Sequence, residues 1–392
     1  MKDRSKAAYN IADLREIARR RLPRGLFEFV DRGSEDEVAL RNNRAAFEKI
    51  KLKPHTLVDV SARNQHITLF GKQHTMPIII APTGTAGLMW HEGEIALARA
   101  AAAAGIPCTL ATGSMTAMEK VMTEAGGTLW FQLYMWPDRS MSHKLVERAR
   151  VAGYEALVVT VDGAASANRE YNLRNGFTRP MKMTPQVVLQ GMARPLWSLR
   201  FYRHGGIPVM KNWAPYASNP NDANVVADLY GSQTPAPGLR WDTIERMRAG
   251  WKGALVIKGV LTPEDAQRCA QIGVDGVIVS NHGGRQLDRA PASLEVLPAI
   301  NRAVADKLTV MMDGGIRRGA DIVTAVGLGA KAAFFGRPAI FAAASAADAG
   351  ADKLLGIFRA EIEVVMRQMG CSSLGDITAD RLWDQLNAAP PG

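Results

Sequence analysis

Cysteine is scarce in this chain: three residues in 392, Cys108, Cys269 and Cys371, with no CxxC pair. That spacing argues against a disulfide scaffold or a cysteine-ligated zinc site, and no metal is expected; it fits a reducing compartment. Long apolar runs are also missing, so no segment is expected to span a bilayer. Met1-Lys2-Asp3-Arg4-Ser5-Lys6 leads into Ala7-Ala8-Tyr9-Asn10 and not into an apolar signal-peptide core, which predicts an intracellular, cytoplasmic protein. Acidic residues are absent from Tyr171 to Asn221, a window that holds Arg174, Arg179, Lys182, Arg194, Arg200, Arg203 and Lys211. Elsewhere acids and bases are interspersed, so the formal net charge of +10 resides largely in that window. No nucleic-acid motif accompanies it, and nucleic acid is not expected as a partner; a membrane surface or an acidic protein suits it better.

What is present is a hydrophobic content of 47%, enough for a full core. The length allows one large barrel with insertions or two medium domains. Eight short apolar runs recur: Pro77–Thr83, Cys108–Thr112, Leu129–Tyr134, Ala156–Asp162, Ala254–Val260, Gly276–His282, Leu308–Gly315 and Ala332–Arg337. Their β-branched content and turn-like ends predict buried parallel strands. Stretches of helical period follow most of them, as at Glu92–Ala104, Met141–Ala152, Pro263–Ile272 and Gly319–Gly327. Eight strand–helix units predict an α/β fold, a closed (β/α)8 TIM barrel, with an open doubly wound sheet as the alternative. The chain is thus expected to form a single domain over residues 1–392.

Two regions fall outside the repeat. Residues 1–76 form an N-terminal extension that begins with a predicted helix over Ile11–Val30. Residues 163–241 form an insertion after strand four, too long for an ordinary strand–helix connection and expected to be a lid or an attachment segment. Within it, Arg194–His204 interleaves Trp197, Phe201 and Tyr202 with Arg200 and Arg203. Such a segment lies in a lipid interface, packs on the barrel rim or meets another subunit. Peripheral membrane contact is expected through 181–211, on the inner face of the cell membrane.

Polar residues gather where the strands end, the face on which barrel active sites lie. Strand one ends Pro82-Thr83-Gly84, strand three Gln132-Leu133-Tyr134 and strand four Thr160-Val161-Asp162. Strand five carries Lys258. Strand six runs into Ser280-Asn281-His282-Gly283-Gly284-Arg285-Gln286, strand seven into Asp313-Gly314-Gly315-Ile316-Arg317, and strand eight into Gly336-Arg337. His282 beside Arg285 pairs a base with a fixed cation, which suits a substrate with a removable proton and a carboxylate. Alone, that loop reads equally as a tight turn. The glycine–arginine loops after strands seven and eight stand where barrels bind phosphate through backbone N–H groups. Taken alone, Tyr134 reads equally as an ordinary strand-end aromatic or a functional residue, and Asp162 equally as a helix cap or a functional carboxylate. A lysine in a buried strand, as at Lys258, requires an anionic partner or a nucleophilic role.

Taken together, these residues resemble the FMN-dependent L-2-hydroxy-acid oxidase and dehydrogenase family, from Ile11 to about Cys371. Leu22-Pro23-Arg24, Ile257-Lys258-Gly259 and Asp313-Gly314-Gly315-Ile316-Arg317-Arg318-Gly319 reinforce the Ser280–Gln286 motif. The resemblance implies FMN as cofactor and His282 as the base, paired with Asp162. It implies that Arg285, Arg169 and Tyr134 hold the substrate carboxylate. Lys258 would stand beside the flavin N1 and O2. Gln132, Thr160 and Ser280 would contact the ring or ribityl chain, the backbone of Pro82, Thr83 and Gly84 would lie along the ring, and Asp313, Gly314, Gly315, Ile316, Arg317, Gly336 and Arg337 would meet the ribityl phosphate.

Three positions depart from the family pattern. Phe29 replaces a substrate-binding tyrosine, removing one hydrogen bond worth on the order of 1 kcal/mol. Ala111 replaces a serine near the flavin. Gly113 replaces a tryptophan over the pocket of enzymes for small substrates, which favours a bulky or aromatic, mandelate-like acid. Gly84, where the family's oxidases tend to carry alanine, tilts towards a dehydrogenase. The expected reaction is oxidation of an (S)-2-hydroxy acid to a 2-oxo acid, with a quinone or oxygen as electron acceptor, in a homotetramer. Alternatives are an oxygen-using oxidase of the same chemistry, an aldolase using Lys258 as a Schiff-base nucleophile, or a non-catalytic flavin-binding homologue. His55, His66, His74, His91, His143 and His204 are expected to be structural or surface residues.

Overall fold

A computed structural model describes residues 4–177, 183–233 and 237–384. Arg179 and Lys182 of the basic window lie outside the described residues. Eight parallel strands close into a barrel: β1 Ile78–Ile80, β2 Cys108–Ala111, β3 Leu129–Leu133, β4 Ala156–Thr160, β5 Ala254–Val260, β6 Gly276–Val279, β7 Thr309–Met312 and β8 Ala333–Phe335. Closure is made where Ala333 pairs with Ile78 and Phe335 with Ile80. The fold is the (β/α)8 TIM barrel, and the open-sheet alternative is excluded by that pairing.

Side chains alternate across each strand, so one parity points into the barrel and the other towards the helices. Ile79, Trp130, Val158, Val256, Ile278, Met311 and Phe334 form the inner cluster. The opposite parity (Phe131, Leu157, Ile257, Val277, Phe335) joins the larger core beneath the helices. Two residues further along the inner parity, the plug gives way to chemistry: Trp130 to Gln132, Val158 to Thr160, Val256 to Lys258, Ile278 to Ser280 and Met311 to Asp313. The bottom is stoppered by the hairpin of Ile67–Leu69 and Lys72–His74, whose Phe70 ring lies 5.5 Å from Trp130. All functional polarity is therefore displaced to the C-terminal mouth.

The predicted runs outlast the strands. Three of them extend through Asp162, His282 and Arg337, whereas pairing stops at Thr160, Val279 and Phe335. Beyond those points the chain bends out of the ladder to turn its polar side chains over the mouth; His282 itself has a left-handed φ of 58°. The predicted helix over Ile11–Val30 is two helices, Ile11–Arg21 and Arg24–Asp31. Pro23 forces Leu22 into an extended conformation, with φ −84° and ψ 149°, and so ends the first. The second carries Phe29 to the barrel mouth, where it is 8% exposed.

Between β4 and the helix Trp241–Gly250 the chain forms short helices, among them Pro185–Met192, Pro195–Arg203 and Ala223–Gln233. Trp213, fully buried, anchors this segment. Its indole stacks on Trp136 at 3.8 Å and donates to the Thr112 carbonyl at 3.1 Å. The basic-aromatic stretch has two faces. Trp197 and Phe201 pack against the core, and Arg200 lies over the Trp90 ring at 4.3 Å. Leu196, Leu199 and Tyr202 are exposed. Among the described residues no helix is long and apolar enough to cross a membrane.

Candidate active site

A cavity of about 950 Å³ opens at the C-terminal mouth. His282 lies at its wall. Its Nδ1 is 2.9 Å and 3.0 Å from the two carboxylate oxygens of Asp162, and its Nε2 is 3.3 Å from the Tyr134 hydroxyl. With Nδ1 donating to a carboxylate, Nε2 carries the lone pair and faces the cavity. Burial pulls the His282 pKa below its ordinary value, against the Asp162 charge, and Lys258 pulls it further down. Asp162 stays below its usual range: burial opposes its charge, but His282 and Lys258 outweigh burial. Burial, and then the neighbouring Tyr230 and Asp162, push the Tyr134 phenol up, so it remains a hydrogen-bond donor.

Lys258 is 4% exposed. Its Nζ lies 3.0 Å from Asp313 Oδ2 and donates to Ser280 Oγ at 2.8 Å. Burial works against its charge, but the Asp313 and Asp162 carboxylates prevail and hold its pKa above the usual value. A Schiff-base nucleophile must be neutral; this ammonium is held charged, which removes the basis of the aldolase alternative.

Arg285 Nη1 donates to the carbonyls of Phe29 and Arg32, at 2.7 Å and 3.0 Å, and its guanidinium lies 5.1 Å from the Phe29 ring centre. Arg169 Nη2 donates to the Arg285 carbonyl at 3.0 Å. Both arginines line the cavity with His282 and Tyr134. Phe29 occupies its place as a hydrophobic wall, its ring 4.9 Å from Phe177. The structure thus assembles the base, its carboxylate, the phenol and both guanidinium groups on one side of the cavity.

A further part of the cavity is suited to an anion. Gly314 and Gly315 have φ of 94° and 83°, and a Cβ on Gly315 would lie 2.3 Å from the Asn43 carbonyl oxygen, so glycine is required there. Arg317 follows. Burial, then the charges of Arg337 and Arg44, lower its pKa to about 9, and burial lowers that of Arg337 to about 10. Among the described residues Arg317 has no ion-pair partner, and the Oδ1 of Asp313 is buried without a hydrogen bond. A half-buried arginine without an ion-pair partner, an orphaned carboxylate oxygen and a glycine turn fit the phosphate and polar edge of FMN. The Arg337 side chain donates to the carbonyls of Val30, Gly283 and Arg32 at 2.9, 2.8 and 2.9 Å, and its backbone N–H, in the first turn of the helix Arg337–Met369, is a further group suited to phosphate.

Gln132 and Thr160 are joined at 3.0 Å and line the cavity, as do Pro82, Thr83, Gly84, Ala111 and Gly113. The Gly113 position is not simply open: a Cβ there would lie 3.7 Å from the ring of Tyr230. Tyr230, from the insertion helix Ala223–Gln233, went unnoticed in the sequence because nothing in its neighbourhood distinguishes it from a surface aromatic. Asn43 was missed for the same reason. It exchanges hydrogen bonds of 2.9 Å with Asn281 across the buried floor of the His282 turn.

Comparison with known proteins gives one answer. A family model described as FMN-dependent dehydrogenase matches residues 18–384. The chain is 39% identical to (S)-mandelate dehydrogenase of Pseudomonas putida over 388 residues, 98% of this chain and 97% of that one. It is 39% identical to L-lactate dehydrogenase of Caulobacter sp. (strain K31) over 365 residues, 93% of this chain and 96% of that one. A crystal structure of (S)-mandelate dehydrogenase, described as a monotopic membrane protein, superposes with a TM-score of 0.93 at 38% identity, covering 96% of this chain and 100% of that one.

Proposed function

The chain belongs to the FMN-dependent dehydrogenase family, and from that premise we propose that it oxidises a bulky, mandelate-like (S)-2-hydroxy acid to the 2-oxo acid. The observation that carries this is the His282 pair: Nδ1 fixed on Asp162 at 2.9 Å, and Nε2 turned to a cavity lined by Arg285, Arg169 and Tyr134. Bound FMN supplies the two-electron acceptor. Asp313–Arg317 and the Gly336-Arg337 backbone would hold its phosphate, and Lys258, Gln132, Thr160, Ser280 and the Pro82–Gly84 backbone its ring and ribityl chain, with Ala111 leaving one contact unmade.

The rest is the work of this chain's residues. Arg285 and Arg169 draw in the substrate carboxylate, and Tyr134 donates a hydrogen bond to the bound acid. His282 takes a proton at Nε2, and the resulting imidazolium is stabilised by Asp162, already ionised beside it. Phe29 contributes apolar surface where a hydroxyl would give a hydrogen bond, and Gly113 leaves room for a substituent larger than methyl. Similarity to (S)-mandelate dehydrogenase and this pocket favour the same class of acid. The test is anaerobic bleaching of the flavin by mandelate, 4-hydroxymandelate, phenyllactate, lactate and glycolate; faster reduction by glycolate than by mandelate contradicts the pocket reading.

The electron acceptor we infer is a membrane quinone. Its support is the exposed face of the insertion, where Leu189, Met192, Leu196, Leu199 and Tyr202 are each more than 60% exposed. The exposed Arg203 and Lys211 of the same segment suit an anionic inner leaflet, and the similar monotopic enzyme supports the same reading. Peripheral attachment would bring the barrel mouth close to the lipid. Oxygen consumption during steady-state turnover, in place of quinone reduction, would make the protein an oxidase instead.

A further inference from the structure

Glu94 is a buried carboxylate with no part in the chemistry above. It is 4% exposed, and among the described residues it has no ion-pair partner. Its Oε1 accepts from the Met115 N–H at 3.1 Å and its Oε2 from the Thr116 hydroxyl at 3.0 Å. Gly87, on the segment after β1, packs beside the same carboxylate, while both donors lie on the loop after β2. The two segments approach closely: a Cβ on Gly87 would stand 2.8 Å from Glu94 Oε2 and 2.7 Å from Met115 Cβ. The same loops carry the two glycines of the cavity wall, since a Cβ on Gly84 would stand 3.3 Å from the Gly113 carbonyl oxygen.

A buried carboxylate is costly unless donors surround it, and here each oxygen accepts from one donor of the loop after β2. A glutamine would turn an N–H2 against one of them. We propose that Glu94 is a positioning residue, a brace that fixes the Gly84 loop against the Gly113 turn and so sets the width of the slot for the substrate's side chain. This rests on the reading that the part of the cavity walled by those two glycines receives the side chain of the 2-hydroxy acid.

The experiment compares E94Q, G113A and the double variant as holoenzymes, reduced anaerobically by (S)-mandelate and by L-lactate, with rate and apparent substrate Kd measured separately. Loss of one charge-assisted hydrogen bond at the brace is expected to lower mandelate reduction by roughly 10- to 100-fold in kcat/KM. Lactate, whose methyl group does not reach the wall, should change by less than about threefold. The mandelate effect of G113A should shrink in the E94Q background, because a slot of altered width no longer responds to the added methyl. Equal losses for both acids, or effects that multiply independently, would overturn the proposal. If E94Q binds no flavin, T116V removes one donor and keeps the carboxylate. It should move the mandelate-to-lactate ratio in the same direction, and an unchanged ratio overturns the brace. A wild-type protein that no 2-hydroxy acid reduces would instead refute the functional reading on which the brace depends.

Discussion

Lys258 and His282 hang from one hydroxyl. Ser280 Oγ accepts the Lys258 ammonium at 2.8 Å and the His282 backbone N–H at 3.0 Å. The Lys258 ammonium and the His282 backbone are therefore set relative to each other by a single side chain at the end of β6. The left-handed φ of His282, 58°, is a conformation that a non-glycine residue holds only when its surroundings fix it.

Ser280→Ala removes both bonds while leaving Lys258 its Asp313 partner. The bond from the charged Lys258 is worth about 1.5–3 kcal/mol and the neutral one from the His282 N–H about 0.5–1.5 kcal/mol. Flavin should remain bound, and anaerobic reduction should slow by roughly 10- to 100-fold. A reduction rate within about twofold of wild type would show that the turn is held without Ser280.

The pH dependence follows from the signs. His282 must be neutral to accept a proton, and its pKa is depressed by burial and by Lys258 while Asp162 opposes them. The acid limb of kcat/KM should therefore fall below the ordinary histidine value of about 6.5. Asp162→Asn removes the one group that raises this pKa, so it should shift the limb to still lower pH while cutting the rate, because the imidazolium loses its counter-charge. A limb that moves upward in Asp162→Asn would contradict the pairing. His282→Ala should keep flavin and lose reduction.

Much of the site was legible because polar residues interrupt otherwise apolar runs. The inside of the barrel was not. Both faces of β3 and β4 are apolar, as in any strand buried on two sides, so Trp130 and Phe131, or Leu157 and Val158, offer no sign of which points inward. The polar ends supply it: Gln132, Thr160, Lys258 and Ser280 share the inner parity with Trp130, Val158, Val256 and Ile278. The insertion was legible in composition only. Its helices meet the barrel through contacts distant in sequence, such as Trp213 on Trp136, which no local pattern announces. That is why Tyr230 was missed and why Gly113 looked more open than it is.

Gly113 and Tyr230 should control substrate size together. The 3.7 Å from a Cβ at Gly113 to the Tyr230 ring is ordinary contact, so Gly113→Ala fits, whereas a larger side chain collides. Overpacking of this kind costs about 1–3 kcal/mol. Gly113→Phe should depress mandelate reduction by roughly 10- to 100-fold and spare lactate, and Tyr230→Ala should restore part of the loss. No recovery in the double variant would mean that Tyr230 does not bound the slot.

Attachment to lipid should depend on the exposed leucines. A leucine moved from water into an apolar phase contributes about 1.5–3 kcal/mol. Leu189→Ser combined with Leu199→Ser should therefore weaken binding to anionic vesicles by roughly 100-fold or more, with flavin reduction by mandelate unchanged. Raising the salt should release the wild type further, through the exposed Arg203 and Lys211. Co-sedimentation that survives both leucine substitutions would place the attachment elsewhere.

The insertion helix is tied to the barrel rim by a contact that acid should loosen. His204, just past the helix Pro195–Arg203, stacks on His91 with ring centres 3.9 Å apart and planes 8° from parallel. Arg200 and Arg21 lie over the adjacent Trp90 at 4.3 Å and 4.0 Å. Lys120 pairs with Glu92, whose carboxylate is 3.8 Å from His91 Nε2 and is the nearest group favouring a charged ring. Burial and His204 lower the His91 pKa, against Glu92. A histidine whose pKa is lower folded than unfolded binds fewer protons when folded, so its contribution is complete above the unfolded value and is lost as pH falls below it. Between about pH 7.5 and about pH 5.5, a window spanning the unfolded histidine value, the Tm should drop more in the wild type than in His91→Phe, which keeps an aromatic stack but cannot charge. Amide exchange should rise in Pro195–Arg203 over the same window before it rises in the barrel strands, because the stack is one of the contacts that hold that helix to the barrel. Parallel Tm profiles for the two proteins would assign the acid sensitivity to other groups.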